Sequence, residues 1–406
     1  FNARQLKDIH RQLTKLNTDE PPFADEVPAQ GTITWVKPAL VADVEFTERT
    51  ATGALRHPVF RGLRDDKDPH EVIMHQETLM NSTHPQRPSP SSSPARPAKR
   101  GVARGPSVAG VQLTHADRIL YPEQGLTKLD LAHYYEDIQD WILPHLANRP
   151  LALLRCPEGW EHECFFQKHP GSAFAKDIPR LQIKEKRGGR AEFVYVSDVR
   201  DLVALVQLGV LELHPWGSKI DDVEAPDTLI FDLDPGPDLP WRNIAQAASG
   251  LHERLQALGL NGFLQATGGK GLHLVVPIEP TLSWDDAKAF AHAVCRLHAQ
   301  DDPTAFTTNM AKHKRHGKVF LDYLRNGRGS TSVARYSPRA RANAPVATPL
   351  RWNELTPTTG ANRYTVNTVR RRLNALKADP WTGYEAARRQ ISSRLQQDLQ
   401  KQAGLN

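Results

Sequence analysis

Two aspartates one residue apart close an apolar run in "TLIFDLDPGPDLPW", residues 228–241. On an extended strand, residues i and i+2 share a face, so Asp232 and Asp234 project side by side while Leu233 points the other way. Like charges that close repel unless positive charge lies between them. A divalent ion with oxygen ligands, Mg²⁺ or Mn²⁺, meets that need. Asp234 can equally serve only to open the turn at Pro235-Gly236, a common use of aspartate. The pattern also suits phosphatases and glycosyltransferases. A third aspartate, Asp322 in "KVFLDYLRN", follows an apolar strand in the same way. Three carboxylates from two strands can hold two divalent ions about 4 Å apart, one activating a 3′-hydroxyl and one stabilising a leaving pyrophosphate. The alternative for Asp322 is a plain strand end.

Between these acids lies "QATGGKGLHLVVPI", a glycine-rich turn, Thr267 to Gly271, joining two strands. Glycine lets backbone N–H groups approach phosphate oxygens, and Lys270 adds charge. The spacing is not that of a Walker A loop, because a strand rather than a helix follows. His273, two residues into that strand, is placed to donate to a phosphate. A simple hairpin turn and a core histidine are the alternatives.

The elements that position these residues need a sizeable fold. With 406 residues, 39% of them hydrophobic, the chain has room for two or more domains. The net charge of +6 fits a polyanionic partner, although many proteins share it. No run of about 18 apolar residues marks a membrane helix, and the first twenty residues show no signal peptide. The chain begins at Phe1, which reads as a piece of a longer polypeptide. Cys156, Cys164 and Cys295 form neither a disulfide framework nor a zinc motif, so reduced thiols in a cytoplasmic setting are expected.

Residues 84–112 are dominated by Pro, Ser, Gly and Arg, which reads as a flexible basic linker. Ahead of it, 1–83 carries a helical spacing at Leu6, Ile9, Leu13 and Leu16, then short strand-like runs, as in a small partial barrel. Behind it, Thr127 with Asp130 three residues on predicts a capped helix start. Strands are predicted at 150–157, 191–197, 228–234, 262–267, 271–278 and 318–324, and helices at 240–259 and 284–300. A polar helix is predicted within 382–402. The alternation makes 113–406 an α+β or α/β domain. No internal repeat is visible.

Taken together and in order, "LTHADRILYPEQGLTKLDLAHYY", "CFFQKH", "LELHPWGS", "FDLDPG", "ATGGKGLHLVVP" and "FLDYLRNGRGSTSVARYSPRA" resemble the polymerase domain of bacterial ligase D, in the archaeo-eukaryotic primase superfamily. "ITWVKPALVADVEFTERTATGALRHPVFRGLRDDK" resembles the end of an ATP-dependent DNA ligase OB domain. The resemblance implies an α+β, primase-like, two-subdomain polymerase fold with a β-sheet catalytic core, preceded by a small partial OB-like piece. It implies template-directed nucleotide addition to DNA ends and gapped duplex in non-homologous end joining. NTP or dNTP would be the substrate, two Mn²⁺ or Mg²⁺ ions the cofactors, and a Ku-like end-binding protein the partner. A cytoplasmic, nucleoid-associated location follows, with no membrane partner. The ligase's adenylation domain is not among these 406 residues, so ligase activity is not expected from this chain alone.

The resemblance also assigns roles. Asp232, Asp234 and Asp322 match the metal-binding catalytic acids. Thr267, in place of the more usual serine, and Lys270 and His273 match the triphosphate-binding motif. His214 matches a histidine near the nucleotide. Phe165 and Phe166 match an aromatic pair at a base, one of the two being expected to pack in the core. Arg325 and Arg335 match triphosphate or DNA-backbone contacts, with surface ion pairs as the rival reading. Arg118, where lysine is more usual, and Lys128 match a pair that captures a DNA 5′-phosphate. Arg56, Arg61, Arg64 and Lys67 match the ligase's last basic motif. The alternative of a different class is a DNA-end-binding module without catalysis.

Overall fold

The computed structural model describes residues 3–18, 34–45, 48–49, 55–56, 59–63 and 105–405, apart from 172–173, 175–176, 186–187, 238 and 357–359. The chain divides into two units, Phe1–Lys99 and Arg100–Asn406. In the first, helix α1 spans Ala3–Thr14. Strand β1 (Asn17–Thr18) pairs antiparallel with β2 (Trp35–Val36). Strands β3 (Ala42–Glu45), β4 (Glu48–Arg49), β5 (Leu55–Arg56) and β6 (Val59–Leu63) form two further antiparallel pairs, β3 with β6 and β4 with β5. Arg56 and Arg61 lie on β5 and β6, whereas Arg64 and Lys67 lie outside the described residues.

The expected linker is shorter at its end than its composition implies. Strands β7 (Ser107–Val108) and β8 (Val111–Gln112) make a hairpin with Val108 buried, so 107–112 is ordered structure. Residues 84–104 lie outside the described residues. Strands β9 (Ile119–Tyr121) and β10 (Leu126–Thr127) pair, and helix α2 (Lys128–Asp137) starts at the capping box of Thr127 and Asp130, as their spacing predicts. Helix α3 (Gln139–Leu146) follows.

Five strands then form the first sheet: β11 (Leu151–Arg155), β12 (Phe165–Gln167), β13 (Arg180–Lys184), β14 (Arg190–Val194) and β15 (Val210–Pro215). Helix α4 (Val199–Gln207) precedes β15. In the β11–β12 register Arg155 faces Phe165, which brings the next residues outward, Cys156 and Cys164, to a Cα separation of 4.4 Å. They form a disulfide, contrary to the expectation of free thiols. The pairing was hidden because β12 is a three-residue strand with no periodicity to announce it.

The second sheet has six strands: β16 (Thr228–Pro235), β17 (Phe263–Ala266), β18 (Leu272–Pro277), β19 (Phe306–Thr307), β20 (Val319–Asp322) and β21 (Thr348–Leu350), in the order β19-β20-β16-β18-β17-β21. All neighbours are antiparallel except β19 and β20. Alternation along β16 sorts its side chains. Leu229, Phe231 and Leu233 share a core with Ile244, Ala248 and Leu251 of helix α5 (Trp241–Ala257) and Phe290, Ala291 and Val294 of helix α6 (Trp284–Asp301). The aspartates are left on the opposite face. Helix α7 (Val366–Ala375) packs into the core shared with α2 through Val366, Val369 and Leu373.

The predicted polar helix in 382–402 is interrupted. Trp381, Tyr384 and Ala387 are buried and Arg389 bridges to Ile278, so the chain stays non-helical there apart from one 3₁₀ turn, Glu385–Ala387. Helix α8 (Ser393–Gln402) begins only where the Ser392 side chain accepts from Leu395 N–H.

A buried ion pair ties the starts of the two sheets together. Arg149, just before β11, donates through Nη1 and Nη2 to the two carboxylate oxygens of Asp227, just before β16, at 2.6 and 2.7 Å. Arg388 approaches the same carboxylate at 3.4 Å. Burial opposes the charge on Asp227, but Arg149 outweighs it and holds the carboxyl below its ordinary range. The resulting stabilisation is present above the unfolded aspartate pKa and is lost as pH falls through the lowered value. Asp227→Ala leaves a buried guanidinium with its main partner gone and is expected to destabilise the unit by ~3–5 kcal/mol, measured by urea unfolding at pH 7.

Candidate active site

Sheet register assembles the acids. Asp232 on β16 lies directly opposite Asp322 on β20 and, on the other side, opposite His273 on β18. Gln265 of β17 extends the row beyond His273. Asp232, Asp322, His273 and Gln265 are all buried. Arg325 spans the two acids, its Nε 3.1 Å from Asp232 Oδ2 and 3.4 Å from Asp322 Oδ2. His273 Nε2 lies 3.5 Å from Asp232 Oδ1. Asp322 Oδ1 also accepts from Leu324 N–H at 2.7 Å.

The three carboxyls respond differently to this crowding. Burial works against the charge of Asp232, but His273 and Arg325 overcome it and hold the group below its usual range. Asp234 is pushed up to about 7, first by burial and then by the charge of Asp232. Asp322 is raised for the same two reasons. The cluster therefore has more negative charge than Arg325 neutralises. Among the described residues no three His, Cys, Asp or Glu side chains stand ready to hold an ion. Arg325 is drawn in on Asp232 and Asp322 where positive charge is wanted, and the oxygen-only acids suit a hard divalent ion.

The glycine turn faces the acids. Gly268 has φ +69°, and a Cβ there would come 2.8 Å from Arg339 Cγ. A Cβ on Gly271 would come 2.4 Å from the Leu233 carbonyl oxygen, so the turn lies close against β16 only because it lacks side chains. The Thr267 hydroxyl does not stand free for a phosphate. It donates to Gly271 O at 2.9 Å and accepts from Gly269 N–H at 3.2 Å, closing the turn. Lys270 is exposed.

A cavity of about 430 Å³ brings together Asp232, Asp234, Thr267, Lys270, His273, His214 and Arg325, all singled out by the sequence. It also takes in Arg315, Arg339 and Arg341, which sequence reasoning missed. Residues 331–341 reach it because Ala334 N–H donates to Leu213 O and Ser337 Oγ accepts from Leu213 N–H, laying the segment along β15. No spacing announces that contact.

His214 Nε2 lies 2.9 Å from Glu212 Oε2, and its ring meets Phe166 edge-on at 5.2 Å between centroids. Both Phe165 and Phe166 are exposed, at 42% and 62%, so neither packs in the core as expected for one of them. They sit on β12, which ends the sheet order, and their adjacent side chains project to opposite faces. The Arg155 guanidinium lies 5.4 Å from the Phe165 ring centroid. Arg335 does not line the cavity. It is buried, 4.9 Å from the Trp381 ring centroid, and burial lowers its pKa. Arg118 and Lys128 come together elsewhere. Arg118 Nη1 donates to Pro157 O and to Glu158 Oε1, at 2.8 and 2.6 Å. Lys128 is buried, its ammonium donating to Thr114 O at 3.0 Å and Gln207 O at 3.4 Å. Burial, then the charge of Arg118, lowers its pKa.

The six-stranded, mostly antiparallel sheet thus carries an acid row beside a glycine turn. Residues 127–381 match the family model described as LigD, primase-polymerase domain, and the chain belongs to that family. Residues 1–67 match the ATP dependent DNA ligase C terminal region. The chain is 36% identical over 402 residues to the multifunctional non-homologous end joining protein LigD of Pseudomonas aeruginosa, covering 98% of this chain and 46% of that one. It is 29% identical to the bifunctional non-homologous end joining protein LigD of Bacillus subtilis, covering 64% of this chain and 42% of the other. The chain thus spans less than half the length of these two relatives. The polymerase domain from Mycobacterium tuberculosis Ligase D in complex with DNA superposes with a TM-score of 0.64 at 30% identity, covering 68% of this chain and 98% of that structure.

Crowding of the acids carries a stability consequence. A carboxyl whose folded pKa is raised costs stability that builds as pH rises through its unfolded pKa and is complete above the raised value. Asp234→Asn is expected to raise stability in chelator at pH 8 by about 1–3 kcal/mol, less than the full shift because Asp234 is only half-buried. Thermal melts in EDTA at pH 5 and pH 8 check this; the gain should shrink at pH 5.

Proposed function

We propose that this chain is a template-directed nucleotidyltransferase that fills gaps and extends ends at DNA double-strand breaks, using NTP or dNTP. The observation that carries the reading is a cavity in which Asp232 and Asp234 meet Lys270 and the glycine turn, with Asp322 directly across the register from Asp232. Asp232, Asp234 and Asp322 would hold Mn²⁺ or Mg²⁺, two ions in the manner of phosphoryl-transfer enzymes, supplying charge for the attacking hydroxyl and the leaving pyrophosphate.

The chain's own groups do the remaining work. Lys270, Arg339 and Arg341 offer cations to a triphosphate along one wall. Thr267 fixes the turn that presents Lys270, through its two internal hydrogen bonds. Phe166 offers a face for stacking a base, worth ~1–3 kcal/mol per base. Arg118 and Lys128, with the N-terminus of α2, form a pocket for the 5′-phosphate at the downstream edge of a gap. Glu158 holds Arg118 in the meantime. A Ku-like end-binding protein is the partner, and the setting is the nucleoid; no helix among the described residues is long and apolar enough to cross a membrane.

Primer extension on a gapped duplex with Mn²⁺ and NTP tests this. Wild-type chain is expected to fill the gap, more efficiently when the downstream strand carries a 5′-phosphate. Asp232→Ala is expected to lose nucleotide addition by more than 10³-fold while binding the same gap within twofold of wild type by fluorescence anisotropy. Binding without any extension by the wild type would instead favour a non-catalytic end-binding module.

A further inference from the structure

One buried carboxylate has no assignment in the chemistry above. Glu212, on β15, is 3% exposed and lies beside the cavity without being one of the acids of the row. Its Oε2 meets two cavity-lining groups, His214 Nε2 at 2.9 Å and Arg339 Nε at 3.0 Å. Its Oε1 accepts from Ala340 N–H at 2.8 Å. These partners come from two separate stretches of chain, β15 and the segment around 339–340. A buried carboxylate usually costs stability, yet this one is held down at about 2: burial opposes its charge, while His214 and Arg339 more than offset it. Ionised, it offers only acceptor oxygens.

The consequences for the two partners differ. An ionised acceptor at Nε2 requires the proton there, so the His214 ring is fixed in one tautomer and one orientation. Its Nδ1 is then the acceptor the ring can present to a ligand. Burial lowers the pKa of His214, which keeps the ring neutral in this arrangement. Arg339 is held by a hydrogen bond from Nη1 to Thr267 O at 2.6 Å and by an ion pair that sets Nε 3.0 Å from Glu212 Oε2 without hydrogen-bond geometry. Its planar fork has few other placements left, and Nη2 remains for an anion. Glu212 thus links the glycine turn, through Arg339, to His214.

We infer that Glu212 is a positioning residue of the nucleotide site, setting the tautomer of His214 and the heading of Arg339 so that both meet an incoming nucleotide without rearrangement. The inference rests on the nucleotidyl-transfer reading of the cavity. It places the loss from a Glu212 variant in nucleotide capture, because neither partner is among the acids of the row and the proposed 5′-phosphate residues Arg118 and Lys128 do not line this cavity.

The test uses the full chain with Glu212→Ala and Glu212→Gln. Steady-state primer extension is expected to show the KM for NTP raised at least tenfold in Glu212→Ala and at least threefold in Glu212→Gln, with kcat within threefold of wild type. Affinity for a 5′-phosphorylated gap should stay within twofold. The ¹⁵N imidazole signals of His214 should report the Nε2–H tautomer in wild type and a tautomer mixture in Glu212→Ala. If Glu212→Ala also loses DNA binding, it has lost its fold and the near-isosteric Glu212→Gln decides. A KM within twofold of wild type in a folded variant, or an unchanged His214 tautomer, overturns the inference. If wild type adds no nucleotide, the polymerase reading fails separately, and the NMR arm alone still decides whether Glu212 sets the tautomer.

Discussion

The site depends on one register: Asp232 opposite Asp322 on one side and opposite His273 on the other. Because side chains alternate, a slip of one residue on any of the three strands would turn an acid or the histidine into the apolar core under α5 and α6. That core supplies the correction. Leu233 is paired with Leu321 and Leu272, and all three are essentially inaccessible, so the strands lock by burying the leucines and the acids follow. Apolar packing, which has no interest in phosphate, thereby sets the spacing of the chemistry.

The opposite face must then tolerate charge at close quarters. Asp232 keeps its charge because Arg325 and His273 flank it, whereas Asp234 and Asp322 are raised by burial and by Asp232. Cations therefore have two places to act: between the carboxylates, where Arg325 now lies, and along the glycine-turn wall with Lys270, Arg339 and Arg341. The first sheet contributes from its β15 edge, through His214 and Glu212, and the Arg149–Asp227 pair fastens the starts of the two sheets. A site built this way is shared between both sheets, which accounts for the length of chain over which its residues are scattered.

Much of the second sheet was legible. The run 228–234 is strand β16 almost to the residue, and the shared face of Asp232 and Asp234 follows from period-two alternation alone. Helices α5 and α6 follow from amphipathic spacing, and α2 from its capping box. The first sheet was harder. "DLVALVQLGVLELHP" is apolar nearly throughout, so no period separates helix α4 from strand β15, and Gly209 is the only break. Without that strand, Glu212 cannot be placed beside Arg339, nor Cys156 beside Cys164 without β12. Long-range neighbours were the other gap: the segment around Arg339 and Arg341 was not given a role, and Arg335 was given one that its burial over Trp381 denies. The ordered motifs that resemble ligase D singled out His214 and Phe166, which neither charge nor spacing distinguishes from structural residues.

The most direct measurement is anomalous diffraction from crystals of the chain grown with Mn²⁺ and a non-hydrolysable nucleoside triphosphate. A phosphoryl-transfer site on this sheet requires manganese peaks among Asp232, Asp234 and Asp322, Arg325 drawn off those carboxylates, and the triphosphate lying along Lys270 and Arg339. Manganese bound elsewhere, or a triphosphate seated away from the glycine turn with Arg325 still on Asp232 and Asp322, would contradict it.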